Sequence, residues 1–550
     1  MNILGITAPI SENTAACVLR DGKLVAFAEE ERFVRIKHAP RMVPKGAIEY
    51  CLREAGISIK EIDFIAVGYE SVFRSWAKDV LANLLERNWG KLIPENGAYL
   101  EYFIGTARLK RYFLNLDKTG ETWKKLRYVN HHLAHAASTA RFSGFQESII
   151  VSLDGVGENN AGLFGYYRNG KISVLRTVPM NQSLGWLYGN TTEICGFKKH
   201  SHEGKLMGLA AYGKVNPDLL REIAELREDG YYLKKGWVKR LEKRFRKREK
   251  NEEIGQGHKD LAATVQNFCE VAVMRVARSL HKKTKIRNVS LAGGVALNCD
   301  MNSKIIGLDC FDHIFIQPAA NDAGTALGAA AEVYFQKTEK PCEKLTNSYY
   351  GPDYSQEKIE GILKESKLKY RRISGLEEVA RMISDGKIVG WFAGRMEFGP
   401  RALGGRSILA NPSLPHIKDK INREVKHRES WRPFAPSILA KYAADYFENY
   451  HSSPFMLLTF KTRPEKEKDI QAAIHIDKTA RVHEVSAQTN PRYHELVSEF
   501  HKISGIPAVL NTSFNDRGEP ICMSPKDAIR TFSSTGLDAL VLEDFILEKQ

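Results

Sequence analysis

Hydrophobic and polar positions near the start of the chain alternate in short runs. Residues 2–7, 15–19 and 24–28 each read as a strand. Asp21-Gly22 between the last two is a tight-turn signal, because glycine accepts the positive φ of a type I′ turn. The same grammar returns at 148–153, 162–167 and 171–178, with the polar stretch Asp154-Gly155-Val156-Gly157-Glu158 read as a loop and Asn169-Gly170 as the turn. A strand–loop–strand–turn–strand unit met twice reads as a duplicated lobe, although spacing alone fits two unrelated hairpins equally well. The run Val289-Ser290-Leu291-Ala292-Gly293-Gly294-Val295-Ala296-Leu297-Asn298 tips the balance. Gly293 and Gly294 end a buried strand and let backbone approach a nucleotide before a helix begins. The expected first domain is an α/β unit of the duplicated actin/hexokinase-like type.

The pattern turns polar around 341–353, with Pro341 and Tyr349-Tyr350-Gly351-Pro352, which reads as a linker. The expected domains are 1–345 and 346–550, with the last residues packing back on the first. Beyond the linker, 377–384 and 438–447 read as helices and 388–392 and 506–510 as strands, the latter closed by Asn511-Thr512-Ser513.

A chain of 550 residues, 43% hydrophobic and 27% charged, is soluble-globular in composition and long enough for two cores. No run approaches the roughly 18 apolar residues of a membrane helix. The start lacks a basic segment and reaches Glu12 quickly, unlike a signal peptide. Eight scattered cysteines without a C-x-x-C pair argue against disulfides and favour a reducing cytoplasm. The net charge of +15 admits an anionic partner, but residues 234–250 alone hold ten Lys/Arg and two Glu. They read as one solvated basic helix rather than a nucleic-acid patch.

His131 and His135 stand four residues apart in an apparent helix, so both imidazoles leave one face, and small Ala134, Ala136 and Ala137 leave room beside them. With Asp154 and Asp322, in small-residue loops after strands, they make a mixed N/O donor set compatible with Fe(II), Mn(II) or Zn(II). His132 points elsewhere and reads as packed. The segment from Glu203-Gly204-Lys205 to Gly213 is glycine-laced, suited to helix packing, with Lys205 able to reach a phosphate. The candidate nucleotide-binding residues are Glu203, Gly204, Lys205, Gly293, Gly294, Asn298 and Asn321. The second domain gathers Arg401 and Arg406 in a Gly/Pro-framed loop, Lys426, Arg428 and Arg432 among aromatics, and Arg481 and Asn511–Ser513. Arg forks and Lys charges converging on hydroxyls and amides suit a phosphate-rich ligand. Arg428 and Glu429 also fit a surface pair, and Trp431 and Phe434 a core.

The motifs EEERF with Arg35, Lys37 and His38, then HHLAHAAS, SLDGVGE, EGKLMGLAAYG, LAGGVALN, NDAGTALGAA, FGPRALGGRSIL, RESWRPFAPSIL and LNTSFNDRGEPI together resemble the O-carbamoyltransferase family. Its members include nodulation-factor, cephamycin and tobramycin carbamoyltransferases. They run in order over nearly the whole chain. The resemblance implies an actin-like first domain of the threonylcarbamoyladenosine-synthase type and a smaller YrdC-like α+β second domain. It implies that carbamoyl phosphate and ATP give carbamoyladenylate, whose carbamoyl group passes to a hydroxyl of a small-molecule acceptor. Arg401, Lys426, Arg432, Arg481, Asn511 and Ser513 match the activation site, and Lys37 a cation of the transfer site. His131, His135, Asp154 and Asp322 match a metal set, Fe(II) or another divalent ion, with Mg2+ accompanying ATP.

One departure stands out. The family's usual His-Asp near the first strand is replaced by Ser11-Glu12-Asn13, leaving Glu12 or His38 as the candidate general base. The rival reading is a threonylcarbamoyladenosine-type tRNA-modifying enzyme, favoured by the net charge. No nucleic-acid or membrane partner is expected. A homodimer is a candidate assembly, and the aromatic stretch 72–117 is a candidate acceptor pocket, helix-packing face or dimer face.

Overall fold

The computed structural model describes residues 1–74, 98–249 and 251–549. β1 (Asn2–Ile6), β2 (Ala15–Arg20) and β3 (Lys23–Glu29) form an antiparallel meander. β4 (Phe64–Val67) and β5 (Leu126–Tyr128) extend it in parallel, in the order β3-β2-β1-β4-β5. Asp21 and Gly22 take φ of 50° and 82°, the two left-handed positions of a type I′ turn. A second sheet repeats the plan. β6 (Glu147–Gly157), β7 (Asn160–Arg168) and β8 (Lys171–Pro179) form the meander, and β11 (Asn288–Ala292) and β12 (His313–Ile316) the parallel extension. The order β12-β11-β6-β7-β8 and the turn at Asn169 and Gly170 (φ 50° and 81°) match the first sheet. The two hairpins are therefore halves of one duplicated unit with actin/hexokinase-like strand order. Between them β9 (Ala224–Arg227) and β10 (Gly230–Leu233) form a small ribbon.

The Ala323–Thr338 helix follows β12 in sequence but lies on the first sheet. Close approach requires glycine: a Cβ on Gly5 would stand 2.1 Å from Ala326 O, and one on Gly328 would stand 1.7 Å from Ala134 O. The same helix thus carries the His131–Ala140 helix against its flank.

The second domain is built on a mixed sheet of eight strands. β13 (Arg371–Arg372), β14 (Val389–Phe392), β15 (Arg406–Ala410), β16 (Ala435–Leu439), β19 (His483–Val485), β20 (Ala508–Ser513), β21 (Ala539–Leu542) and β22 (Phe545–Glu548) lie in the order β13-β22-β21-β14-β15-β20-β16-β19. β17 (Thr459–Lys461) and β18 (Thr479–Arg481) form a ribbon whose Thr459 Oγ1 donates to Asp300 of the first domain (2.8 Å).

Several expectations are corrected. Residues 438 and 439 end strand β16, where all five residues are buried, and the helical part of that stretch is a 3-10 turn at Ala440–Tyr442 followed by one α-turn at Ala443–Tyr446. Strand β20 runs through Ser513 instead of closing at Asn511, because 511–513 pair with 407–409 of β15. Asp154 lies in β6 at a break in register between Leu153 and Gly157, not in a loop. The last strand, β22, pairs inside the second-domain sheet and does not return to the first domain. The described part of the basic segment, residues 234–249, is not one helix. Trp237–Arg244 is helical with Trp237 and Leu241 buried, the chain becomes extended at Phe245 to pack that ring, and Arg248 turns inward to donate to Cys195 O (2.8 Å). No described helix is long and apolar enough to cross a membrane.

Candidate functional site

The two domains enclose a cavity of about 1860 Å³. Its wall includes Glu12, Lys37, His38, Asp154, Glu203, Gly204, Lys205, Gly294, Asn298, Asn321 and Asp322 from the first domain. From the second it includes Arg401, Lys426, Arg432, Arg481, Asn511 and Ser513. Of the candidate catalytic, nucleotide-binding and metal residues, Gly293, His131 and His135 do not line it. Gly293 sits behind the wall at φ 84°, where a Cβ would strike Leu153 O at 2.1 Å, so it serves the close strand contact.

At one end of the cavity, one ligand atom from each of His131, His135, Asp154 and Asp322 lies within 4.8 Å of the others. Asn130 caps the histidine helix by accepting from Leu133 N–H (3.1 Å). His131 Nε2 is 3.3 Å from Asp154 Oδ2 and 3.8 Å from Asp322 Oδ1; His135 Nε2 is 3.5 Å and 3.9 Å from the same oxygens. Each carboxylate is aimed by backbone: Gly294 N–H donates to Asp154 Oδ1 (3.0 Å) and Glu12 N–H to Asp322 Oδ2 (2.9 Å). A Cβ on Gly157 would lie 2.0 Å from His131 Cδ2, so only glycine admits the ring there. His135 is fully buried, its Nδ1 without a hydrogen bond and its Nε2 facing only the two carboxylates, an arrangement that a protein tolerates where an ion completes the set. The donors fit a divalent ion.

Burial opposes charge on every member. The Asp154 hydrogen bond and the Asp322 and Asp154 charges still lift His131 to about 9, whereas burial together with the Asp154 charge lifts Asp322 to about 7. Sequence reading missed Glu158, although it closes the quoted SLDGVGE run. Its Oε1 accepts from His131 N–H (3.1 Å) and Glu70 N–H (2.9 Å), and its Oε2 from Asn130. His132 is packed as expected, 2% exposed, and burial pushes it down to about 3.

The other end of the cavity is cationic. Lys426 Nζ donates to Ser513 O (2.5 Å), Ser513 Oγ (3.3 Å), Asn515 O (2.9 Å) and Asn515 Oδ1 (3.0 Å), which fixes it on the end of β20. Burial, then the Arg428 and Arg432 charges, hold its pKa well below 10.5. Burial and Arg401 bring Arg481 down to about 10. Arg401 reaches across the domains to Leu297 O (3.2 Å). Asn511 donates to Ala402 O (3.0 Å) and Ser437 Oγ (2.8 Å) and leaves its buried Oδ1 unpartnered.

Some placements differ from expectation. Lys205 Nζ pairs with Glu429 Oε1 of the other domain. Arg428 is no surface residue: it donates to Asn422 Oδ1 (2.7 Å) and Pro433 O (3.2 Å) within the cation cluster. Arg406 is fully buried and spends its fork on the carbonyls of residues 352, 393, 394 and 405, so it shapes the loop and reaches no ligand. Trp431 and Phe434 both border the cavity, and Phe434, 3% exposed, is also part of the second-domain core. Of the aromatic stretch, Trp76 and Trp89 lie outside the described residues. Tyr102, Tyr112 and Phe113 are buried on the Ala98–Leu116 helix, which favours packing over an acceptor pocket there.

Residues 2–331 match the family model described as carbamoyltransferase N-terminus, and residues 380–549 that described as carbamoyltransferase C-terminus. Protein sll1178 of Synechocystis is 37% identical, over 100% of this chain and 97% of its own. Nodulation protein NolNO of Sinorhizobium fredii is 37% identical over 100% and 81%, and NolO of Bradyrhizobium diazoefficiens 39% identical over 77% and 79%. Among solved structures, HypF of T. kodakarensis superposes on 60% of this chain and 48% of its own, at 16% identity and a TM-score of 0.35. Matched in order in both parts, and along its whole length by such relatives, the chain belongs to the carbamoyltransferase family and is an enzyme that transfers carbamoyl groups.

Proposed function

We propose that the enzyme activates carbamoyl phosphate with ATP in its second domain, read as YrdC-like, and passes the carbamoyl group to the hydroxyl of a small sugar-like or natural-product acceptor at the first. The observation that carries this reading is the shared cavity. A cluster of Arg401, Lys426, Arg428, Arg432 and Arg481 opens into the same space as the His/Asp cluster. Carbamate is a poor electrophile because its nitrogen feeds the carbonyl, whereas an anhydride with AMP has a good leaving group. Atom balance then requires carbamoyl phosphate to surrender its phosphoryl group to water. The freed carbamate oxygen attacks the α-phosphorus of ATP and pyrophosphate leaves. Clustered cations offset the charge that builds in that step. In the second step the acceptor oxygen bonds to the carbamoyl carbon, and AMP departs.

A divalent ion, Fe(II) in the family resemblance, would be held by His131, His135, Asp154 and Asp322, and when bound it supplies positive charge beside an oxygen of the substrate. Enclosure limits loss of the labile anhydride to water. The test is product analysis with ATP, Mg2+, carbamoyl phosphate and a panel of hydroxyl compounds. One phosphate, one pyrophosphate and one AMP per carbamoylated product are expected. Phosphate without pyrophosphate rejects the adenylate route.

A further inference from the structure

The loop that aims Asp322 also holds a histidine. Glu12 gives its backbone N–H to Asp322, and the next residue, Asn13, sets its side-chain amide 2.8 Å from His38 Nδ1. His38 Nε2 lies 3.2 Å from Ser201 Oγ, and Asn13, His38 and Ser201 all face the cavity. The His38 segment is pinned to this loop: Thr14 N–H donates to His38 O (3.2 Å), Thr14 Oγ1 to Ala39 O (2.6 Å), and Arg41 N–H to Ser11 O (2.9 Å). His38, Ala39 and Arg41 take φ of 69°, 43° and 57°, and none is glycine. Strain of this kind persists where the surroundings over-determine the backbone. Glu12, by contrast, pairs its carboxylate with Arg41 (3.2 Å) at the exposed rim.

We propose that His38 is the base that takes the proton of the acceptor hydroxyl, with Asn13 as its positioning residue. This rests on the adenylate reading above. The acceptor oxygen bonds to the carbamoyl carbon, the bond from that carbon to the phosphate oxygen breaks, AMP leaves, and the hydroxyl proton passes to Nε2 and then to solvent. Ser201 Oγ marks where a hydroxyl meets that nitrogen. An asparagine serves both tautomers: its nitrogen donates to bare Nδ1, and its oxygen, with the amide turned, accepts from Nδ1–H and leaves Nε2 free. The charged groups around the ring are Glu31, which accepts the His38 backbone N–H (2.5 Å), and Arg32, Lys37 and Lys198. Burial and the three cations, against Glu31, hold the imidazole below 6.5, so it is neutral at pH 7.

The test uses the full chain with ATP and carbamoyl phosphate, water as the hydroxyl probe and hydroxylamine as a nucleophile that needs no base. Pyrophosphate and AMP are followed separately. In His38→Gln the first-turnover pyrophosphate is expected to match wild type, AMP release into water to fall at least about tenfold, and hydroxylamine to restore it. In Asn13→Asp a carboxylate that only accepts fixes the proton on Nδ1 and raises the imidazole pKa, so AMP release persists and the acid limb of its pH profile moves up. Wild-type AMP release in His38→Gln, or an Asn13→Asp profile superposing on wild type, overturns the proposal. A wild-type protein that forms no pyrophosphate overturns the adenylate reading itself, an outcome visible before any variant is compared.

Discussion

Lys205 Nζ of the first domain and Glu429 Oε1 of the second meet at 2.9 Å on the cavity wall. Glu429 also stands 3.8 Å from Arg432 and leaves a buried Oε2 without a hydrogen bond. It is an internal anion among cations, occupying charge that a phosphate would otherwise claim.

Removing that anion should help an anionic ligand. Glu429→Gln is expected to tighten pyrophosphate binding about three- to tenfold, roughly 1 kcal/mol, by calorimetric titration. Binding weakened by the substitution would show that Glu429 organises the cations rather than competes for them.

Cations gathered without enough counter-charge strain the empty protein. Arg481 is pressed toward about 10 by burial and Arg401, and its Nε has no partner. Arg481→Met is expected to raise thermal stability by about 1 kcal/mol while abolishing pyrophosphate formation. A lower melting temperature would mean that the guanidinium is held by the fold itself.

Lys426 makes the same strain visible as a pH effect. Its folded pKa lies well below 10.5, so between the folded pKa and 10.5 the unfolded chain holds the extra proton and folding stability rises with pH. The stability of wild type relative to Lys426→Met should therefore climb as pH rises toward 10.5 and flatten when pyrophosphate is present. A difference constant with pH would contradict it.

The acidic end offers an independent check. Glu158→Ala removes the acceptor that holds Asn130 and the His131 backbone, and is expected to weaken divalent-metal affinity about 10- to 100-fold. Gly157→Ala, whose methyl group would invade the His131 ring, should lose the metal altogether. Metal content by elemental analysis after dialysis decides both, and retention by Gly157→Ala would remove His131 from the ligand set.

Much of this was legible in residue order, for reasons that differ by place. Two-residue turns at Asp21-Gly22 and Asn169-Gly170 demand left-handed backbone, so the duplicated meander could be seen before any contact was known. His131 and His135 were readable because helical spacing aligns side chains locally. Long-range partners were not. Nothing near Lys205 announces Glu429, more than two hundred positions away, and nothing near Asn13 announces His38 as its neighbour. Arg406 looks like its ligand-facing neighbours in sequence, yet its fork is absorbed by four backbone carbonyls. The basic helix ends where Phe245 becomes extended and packs, partly buried, against the core, a contact that the run of charges around it does not announce.

The helix laid over the first sheet comes from Ala323–Thr338, some three hundred residues after β1. At about 5–20 residues per second a ribosome needs a further quarter of a minute or more to supply it. Until then one face of the nascent β1–β4 layer stays bare, so the emerging polypeptide presents a client surface to chaperones, and nascent chains stalled before that helix should be far more protease-sensitive than those stalled beyond it.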